Sequence, residues 1–408
     1  MAQINRQWFS NGLVLLAESV PGAESLAMTM LVPGGVAMEP AGQQGAAAML
    51  SELICRGAGG LNAREHSDAL DRLGVERSTS VEIDHLCLGA TMIGAHLDTA
   101  LPLLLDMVRQ PNLDAEALEP TRDLALQSLD ALADDPQHRV MLSLRGRHYP
   151  APFGRSPLGC REDLAAMSLE DLQKFWHRVA VPSGSILAFA GDFDWTRLQG
   201  KVSNHLGDWT GSCEAPQSNG PPLRGVVHES AQTTQVHIAV AYDAVPERHE
   251  NAMLQKAAAS VLSGGMSGRL FTEVREKRGL CYAVFAMYAG HRDRGAMLGY
   301  AGTTAPRAQE TLDVMTAELL RLSSGIEPDE FNRAIVGMKS RLVMQGESTG
   351  ARAGAIAADQ YIHGAPRSLD ELSAEIDAVT LERLNAFVRK NKPGEMTVAT
   401  TGPEKLTV

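Results

Sequence analysis

An arginine and a tyrosine seven residues apart, Arg275 and Tyr282, are the two side chains whose types and spacing best combine to do chemistry. An arginine presents a planar fork of N–H donors, and a tyrosine presents a hydroxyl. Together they could hold a carbonyl oxygen or stabilise an oxyanion. Such a pair acts only if the chain between the two residues brings both side chains into one space.

The segment around this pair, from Ser263 to Tyr288, reads SGGMSGRLFTEVREKRGLCYAVFAMY. Gly264 and Gly265 predict a turn, and Ser267 is suited to cap a following helix with an apolar stripe. Two interpretations of the glycine pair stay open. It is either a flexible loop that faces a substrate or a plain link between two helices.

Gly279 is expected to end that helix, and the aromatic and apolar run at 280–288 predicts a strand buried in a sheet. Arg275 would then lie near the end of the helix and Tyr282 at the start of the strand. Both side chains could therefore point into the same space.

A structural interpretation of the same two residues is also available. Arg275 could offset the helix dipole and pair with a neighbouring carboxylate, Glu273 or Glu276. Tyr282 would then fill a corner of the core.

The 408-residue chain has the composition of an ordinary soluble globular protein, with 44% hydrophobic and 21% charged residues. Its length exceeds what one hydrophobic core usually organises, so two or more domains are expected. Lysine and arginine number 37 against 49 aspartates and glutamates, which gives a net charge of −12. This balance argues against nucleic acid and against an anionic membrane as partners.

The sequence also bears on the compartment of the protein. The N-terminal stretch lacks a basic segment followed by an apolar one, and no apolar run is long enough to cross a membrane. The five cysteines are scattered and never spaced C-x-x-C, which indicates neither a disulfide framework nor a cysteine zinc site. We expect a cytoplasmic protein with reduced thiols, and a periplasmic location reached by another route stays open.

The two halves of the chain repeat each other. The segment SLEDLQKFW, which Ser168 is expected to cap as a helix, recurs as TLERLNAFV, where Thr380 has the same expected role. Each copy is followed by a predicted strand that ends in a glycine, Gly191 or Gly402. Internal similarity of this length indicates duplicated domains.

We therefore predict three parts, an N-terminal domain at 1–213, a linker at 214–224 that contains Pro, Gly and Ser, and a C-terminal domain at 225–408. Within the first half, short apolar runs at 12–20 and 26–32 flank Pro21-Gly22 and predict a hairpin or paired strands.

The run GGMSGRLFTEVREKRGLCYAV, at 264–284, resembles the Arg/Tyr segment in the C-terminal half of the pitrilysin, insulysin and mitochondrial processing peptidase family of zinc peptidases. The match extends over about twenty positions, so it is far more specific than a short motif. It implies an α+β fold of two homologous halves. Each half would be a mixed, mostly antiparallel sheet packed with helices, and the two would form a clam-like half-chamber.

Active members of this family carry H-x-x-E-H on the first helix of the N-terminal half. The two histidines and a later glutamate bind zinc, and the glutamate of the motif is the general base. The matching helix here reads GAAAMLSELICRG, from Gly45 to Gly57. The resemblance places Ala48 and Glu52 at the two ligand positions of this helix. Ser51 takes the position of the base, and Ser128 takes that of the third ligand.

A single carboxylate cannot hold catalytic zinc, which needs about three protein ligands. We expect no metal and no other cofactor in this chain, and no peptidase activity from the chain alone. Zinc is expected in a partner.

The resemblance implies a non-catalytic, substrate-binding subunit of a heterodimeric zinc metalloendopeptidase that acts on peptides. A sister subunit would carry H-x-x-E-H and the zinc. Arg275 and Tyr282 would orient the carbonyl of an unstructured peptide in the partner's active site and stabilise the transition state. The alternatives are a catalytically silent scaffold and a peptide-binding protein of the same fold, acting as a homodimer.

Overall fold

The computed structural model of the protein describes residues 3–408. Contacts within the chain divide it into two compact units, each built from three segments. The first unit comprises the chain up to Ala131 with Ala151–Asn219 and Gln345–Ser368, and the second comprises Leu132–Pro150, Gly220–Met344 and Leu369–Val408.

Strands and helices occur along the whole described chain, with runs of consecutive helices between β7 and β8 and between β12 and β13. The strands are β1 (Ile4–Trp8), β2 (Val14–Ser19), β3 (Ser25–Val32), β4 (Gly57–Ala58), β5 (Leu61–Asn62), β6 (Glu76–Val81), β7 (Leu86–Ile93), β8 (Ile186–Gly191), β9 (Val226–Ser230), β10 (Gln235–Ala244), β11 (Cys281–Gly290), β12 (Gly295–Thr304) and β13 (Thr397–Gly402).

The helices are α1 (Ala46–Leu53), α2 (Ala63–Asp71), α3 (Leu97–Arg109), α4 (Ala115–Ala131), α5 (Pro136–His148), α6 (Arg161–Ala166), α7 (Leu169–Val179), α8 (Trp195–Leu206), α9 (Ala252–Ser263), α10 (Ala308–Arg321), α11 (Pro328–Gly346), α12 (Thr349–His363), α13 (Leu369–Asp377) and α14 (Leu381–Lys390). A π-helical turn, Phe271–Glu276, precedes β11. Within residues 3–408, none of the helices has both the length and the apolar character needed to cross a membrane.

The first unit contains a six-stranded sheet in the order β1-β2-β8-β3-β7-β6. β2 and β8 are parallel, and the other neighbours are antiparallel. Both faces of this sheet are covered. On β2, Leu15 and Ala17 belong to the main core, whereas Val14 and Leu16 pack on the opposite face with Ile356 of α12. The first four positions of the strand are therefore all apolar.

This strand order corrects the predicted pairing of the first two apolar runs. β2 and β3 are not neighbours, because β8 lies between them and pairs with both. β8 is buried at every position, from Ile186 to Gly191, as a central strand should be. A turn at Pro21-Gly22 therefore joins two strands that belong to the same sheet without forming a hairpin.

The second unit contains a five-stranded sheet in the order β11-β12-β10-β13-β9. β13 and β9 are parallel, and the other neighbours are antiparallel. One face carries the core, to which α9, α10 and α14 contribute. The other face is covered at β10 and β13 by α5, whose Val140 and Leu144 are fully buried.

The two sheets have the same topology. The order β6-β7-β3-β8-β2 of the first unit corresponds to β11-β12-β10-β13-β9 of the second, with the parallel pair at the same place. The capped helices α7 and α14 begin after Ser168 and Thr380, whose side chains accept backbone N–H groups as predicted. An α+β fold of two homologous halves with mixed, mostly antiparallel sheets is confirmed.

The compact units do not end at the predicted domain boundaries. The backbone at 211–224 is irregular, as a linker should be. However, α12 comes from the C-terminal half of the chain and covers the first sheet, while α5 comes from the N-terminal half and covers the second. An apolar sheet face needs a covering layer, and each sheet takes that layer from the sequence-distant half. The division at 214–224 stays a prediction about the duplicated sequence.

Candidate functional site

The Arg/Tyr segment follows α9 in the second unit. Leu270 and Val274, on either side of the first turn, are fully buried and fix the segment to the core. Gly279 adopts the left-handed conformation, with φ of +61°, and its N–H donates to the carbonyl of Arg275. The helical segment therefore ends at a glycine as predicted.

The backbone between these points is wider than an α-helix. Residues Phe271–Glu276 form a π-helical turn, and the N–H of Lys277 donates to the carbonyl of Thr272, five residues before it. No side chain caps the start of this turn, so the predicted capping role of Ser267 is wrong. π-helical turns are rare and are frequently found at functional sites.

The structure brings Arg275 and Tyr282 together. The guanidinium carbon of Arg275 lies 5.3 Å from the centroid of the Tyr282 ring and 4.8 Å from the centroid of the Phe271 ring. Both Arg275 and Tyr282 are exposed. A fork of N–H donors and a hydroxyl are thus presented to solvent on one surface of the second unit.

Two contacts that the structural interpretation requires are not formed, whereas Arg275 does lie in the last turn of the helical segment, as that interpretation expects. The carboxylate of Glu273 is occupied by Lys277 and Arg278, at 2.7 and 2.9 Å. Within residues 3–408, Arg275 forms no ion pair. Tyr282 does not fill a corner of the core either, because 84% of its surface is exposed.

The strand that contains Tyr282 also differs from the prediction. Among residues 3–408, β11 pairs only with β12 and forms the edge of its sheet, and most of its side chains are half-exposed. Its aromatic and apolar composition suggested a central strand, but composition does not distinguish an edge strand from a buried one. Cys281, directly before Tyr282, is buried, and burial raises the pKa of its thiol to about 11.

The glycine pair Gly264 and Gly265 lies in the short turn between α9 and the π-helical turn. Arg269 anchors the end of this turn through a paired contact with Glu330 at 2.6 and 2.7 Å. Met266 at its tip is exposed. The segment therefore links two helical elements, and its role as a substrate-facing loop stays a prediction.

The degenerate zinc positions lie in the first unit. Ala48, Ser51 and Glu52 are on the half-exposed side of α1, while most other residues of that helix are buried. The hydroxyl of Ser51 donates to the carbonyl of Ala48, and the carboxylate of Glu52 accepts from Nε of Arg56 at 2.8 Å. The one remaining carboxylate is thus engaged by an arginine.

Ser128 is exposed on α4, which packs beside α1. Its hydroxyl donates to the carbonyl of Leu124, one turn earlier in its own helix. Across the part of the chain that the structure describes, no group of three or more His, Cys, Asp or Glu side chains is arranged to hold a metal ion. The donor set at these four positions does not fit zinc.

One important residue near this helix was missed. Glu39, which is buried, accepts the N–H groups of Gly45 and Ala47 at 2.9 and 3.0 Å and so caps the start of α1. Burial raises the pKa of its carboxyl to about 7. The usual signal for a cap is Ser, Thr, Asp or Asn directly before the helix, and here the capping side chain lies six residues upstream of Gly45.

Comparison with known proteins gives consistent results over the whole chain. The sequence model described as insulinase (peptidase family M16) matches residues 14–157, and that described as peptidase M16 inactive domain matches residues 166–338. An uncharacterized zinc protease of Bacillus subtilis, YmxG, is 25% identical over 394 residues, which cover 95% of each chain. An uncharacterized zinc protease of Mycobacterium tuberculosis is 28% identical over 412 residues, which cover 98% of this chain and 93% of the relative.

Two solved structures share the fold. The crystal structure of a peptidase M16 inactive domain from Pseudomonas fluorescens superposes with a TM-score of 0.89 at 19% identity and covers 100% of this chain and 99% of its own. The crystal structure of a protease from Helicobacter pylori also gives 0.89 at 19% identity, with 98% and 100% covered.

Proposed function

The chain belongs to the M16 peptidase family, and we propose that it acts there as the non-catalytic, substrate-orienting subunit of a heterodimeric zinc metalloendopeptidase. The zinc and the general base are supplied by a sister subunit that carries H-x-x-E-H. The observation that carries this proposal is the contrast between two sites. Arg275 and Tyr282 meet on an exposed surface, whereas the side chains of Ala48, Ser51 and Ser128 are not suited to bind zinc.

Arg275 and Tyr282 have the chemistry that an acyl-transfer site needs beside its metal. The guanidinium and the phenol donate hydrogen bonds to the carbonyl oxygen of the scissile peptide and to the oxyanion that develops on it. Each donor is free for this task, because neither side chain forms an ion pair or a side-chain hydrogen bond within residues 3–408. In a site closed to water, the loss of one such donor typically costs about 10²- to 10³-fold in rate.

The substrate is an unstructured peptide bound in an extended conformation. The edge strand β11 starts beside Tyr282 and pairs with only one neighbour, so its outer backbone groups can add a further strand. Strand addition uses main-chain hydrogen bonds and therefore accepts many peptide sequences. A peptide held there would pass the Arg/Tyr pair.

Mutation of the pair in the assembled complex tests this function. Arg275→Ala and Tyr282→Phe should each lower kcat by about 10²-fold or more without changing assembly. Arg278→Ala is the matched control, since Arg278 lies in the same segment but is paired with Glu273, and a surface ion pair contributes only about 0–1 kcal/mol. Unchanged turnover in both Arg275→Ala and Tyr282→Phe would exclude the orienting role.

A further inference from the structure

Phe271 lies four residues before Arg275 and contacts its guanidinium through the face of its ring. The guanidinium carbon is 4.8 Å from the centroid of Phe271, closer than its 5.3 Å to the centroid of Tyr282. Both distances are within the range of about 6 Å over which a cation is attracted to an aromatic ring. Two rings therefore contact one exposed arginine.

The electron-rich faces of these two rings hold the guanidinium of Arg275. Glu273 is engaged by Lys277 and Arg278, and the part of the chain that the structure describes offers Arg275 no ion pair. An arginine side chain has large rotamer freedom, and its donors are useful only when the fork is aimed. The ring contacts supply the restriction that a carboxylate would supply elsewhere.

Phe271 is not required to fill the core. Its neighbours Leu270 and Val274 are fully buried and belong to the hydrophobic cluster of the second unit. Phe271 is only half-buried, and it is not among the described side chains that pack against that cluster. Its ring can therefore be removed with little loss of core packing.

We propose that Phe271 is a positioning residue, whose ring holds the Arg275 guanidinium so that its donors already point towards the substrate carbonyl. The role of Arg275 in this statement rests on the proposed function, whereas the ring contact itself does not. Donors that are held in place before the reaction act mainly on kcat. Loss of a cation–π contact corresponds to an effect of a few-fold at an exposed site and of about thirtyfold in a site closed to water, as proposed for the assembled complex.

The kinetic test uses the assembled complex. Phe271→Leu should lower kcat about three- to thirtyfold with little change in KM, and Phe271→Tyr should restore it because an aromatic face returns. In an Arg275→Ala background, Phe271→Leu should have no further effect. The matched control is Phe331→Leu, because Phe331 is also a half-buried ring of the second unit but lies on α11 and is not one of the two rings that contact Arg275.

A second readout does not depend on activity. In the isolated chain with labelled arginine, the Nε proton of Arg275 should show a ring-current shift in NMR spectra, and Arg275→Lys identifies that resonance. Phe271→Leu should move it towards the position of a free arginine, and Phe271→Tyr should not. An unmoved resonance in Phe271→Leu would refute the contact.

The outcomes separate the two claims. If Arg275→Ala and Tyr282→Phe both leave kcat unchanged, the proposed function fails. If Arg275→Ala alone leaves it unchanged, the positioning role fails, because the guanidinium then has no task for the ring to support. If Arg275→Ala lowers kcat but Phe271→Leu does not, only the positioning role fails. The positioning role also fails if Phe271→Leu lowers kcat equally with and without Arg275, because the ring would then act on the structure and not through the guanidinium.

Discussion

Replacement of Glu39 by glutamine should make the first unit more stable at neutral and alkaline pH. The buried carboxylate caps α1 through one oxygen, Oε1, which accepts the N–H groups of Gly45 and Ala47. The other oxygen, Oε2, is buried and has no hydrogen-bond partner within residues 3–408. Glutamine keeps an oxygen for the cap and removes the buried charge.

The magnitude follows from the pKa of this carboxyl. Burial raises the pKa from 4.5 to about 7. Each unit corresponds to about 1.36 kcal/mol, so ionisation in the folded state costs roughly 3 kcal/mol relative to the unfolded chain. Because the folded protein binds this proton more tightly, its contribution to stability is fully present below pH 4.5 and is lost as pH rises to 7. Glu39→Gln should therefore match the wild type near pH 4.5 and exceed it by roughly 1–3 kcal/mol at pH 8.

Tryptophan fluorescence during urea unfolding provides the assay. The four tryptophans of the chain all lie in the first unit, so their signal reports on the unit that contains Glu39. They are Trp8, Trp176, Trp195 and Trp209. The unfolding free energy of the variant should be compared with that of the wild type at each pH from 4.5 to 8. Because both proteins share all other titrating groups, the effects of those groups cancel in the difference.

The variant Glu39→Ala separates the charge from the cap. It loses the acceptor for both N–H groups, and a lost cap costs about 1 kcal/mol, so it should be less stable than Glu39→Gln at every pH. A difference between Glu39→Gln and wild type that does not change with pH would refute the reasoning.

Three further predictions concern other buried groups and the metal. Arg352→Ala should destabilise the first unit by roughly 3–5 kcal/mol in the same fluorescence assay, because it leaves the carboxylate of Glu18 charged, 1% exposed and without its partner. The double variant Glu18→Leu/Arg352→Met removes both charges and should recover much of the lost stability. Burial lowers the pKa of His148 and of His291 to about 4. Hydrogen exchange should therefore show the second unit losing stability as pH falls from 6.5 to 4. The slope of stability against pH should be smaller in His148→Asn, and an unchanged slope would argue against the assignment for His148. Elemental analysis of the purified chain should find far less than one zinc per molecule, and a stoichiometric content would contradict the loss of the metal site.

Much of the fold follows from local sequence signals. The helices α7 and α14 were predicted from Ser168, Thr380 and their apolar spacing, because a cap and its helix are adjacent in sequence. It was not predicted that α5, from the N-terminal half of the chain, covers the second sheet and that α12, from the C-terminal half, covers the first. Which sheet a helix covers depends on contacts between distant segments, and periodicity within the helix carries no information about them.

The candidate site was likewise predicted only in part. The spacing of Arg275 and Tyr282 across a glycine-terminated helix allowed their side chains to meet but left a structural interpretation open, and the family resemblance was needed to favour a shared site. The π-helical turn and the edge position of β11 were missed, since both depend on hydrogen-bond pairing that composition does not encode. Phe271 was not distinguished from the other apolar residues of its helix, although an aromatic residue four positions before an arginine on a helix is a detectable signal.

The central claim is that this chain orients substrate at a metal held by another subunit. A quenched fluorogenic peptide should be assayed with added zinc on this chain, on a sister chain that carries H-x-x-E-H, and on their mixture. Cleavage in the mixture alone, abolished by a chelator and by Arg275→Ala, is the expected result. Chelator-sensitive cleavage by this chain alone would contradict the account, and a stable but inactive mixture would indicate a scaffold instead.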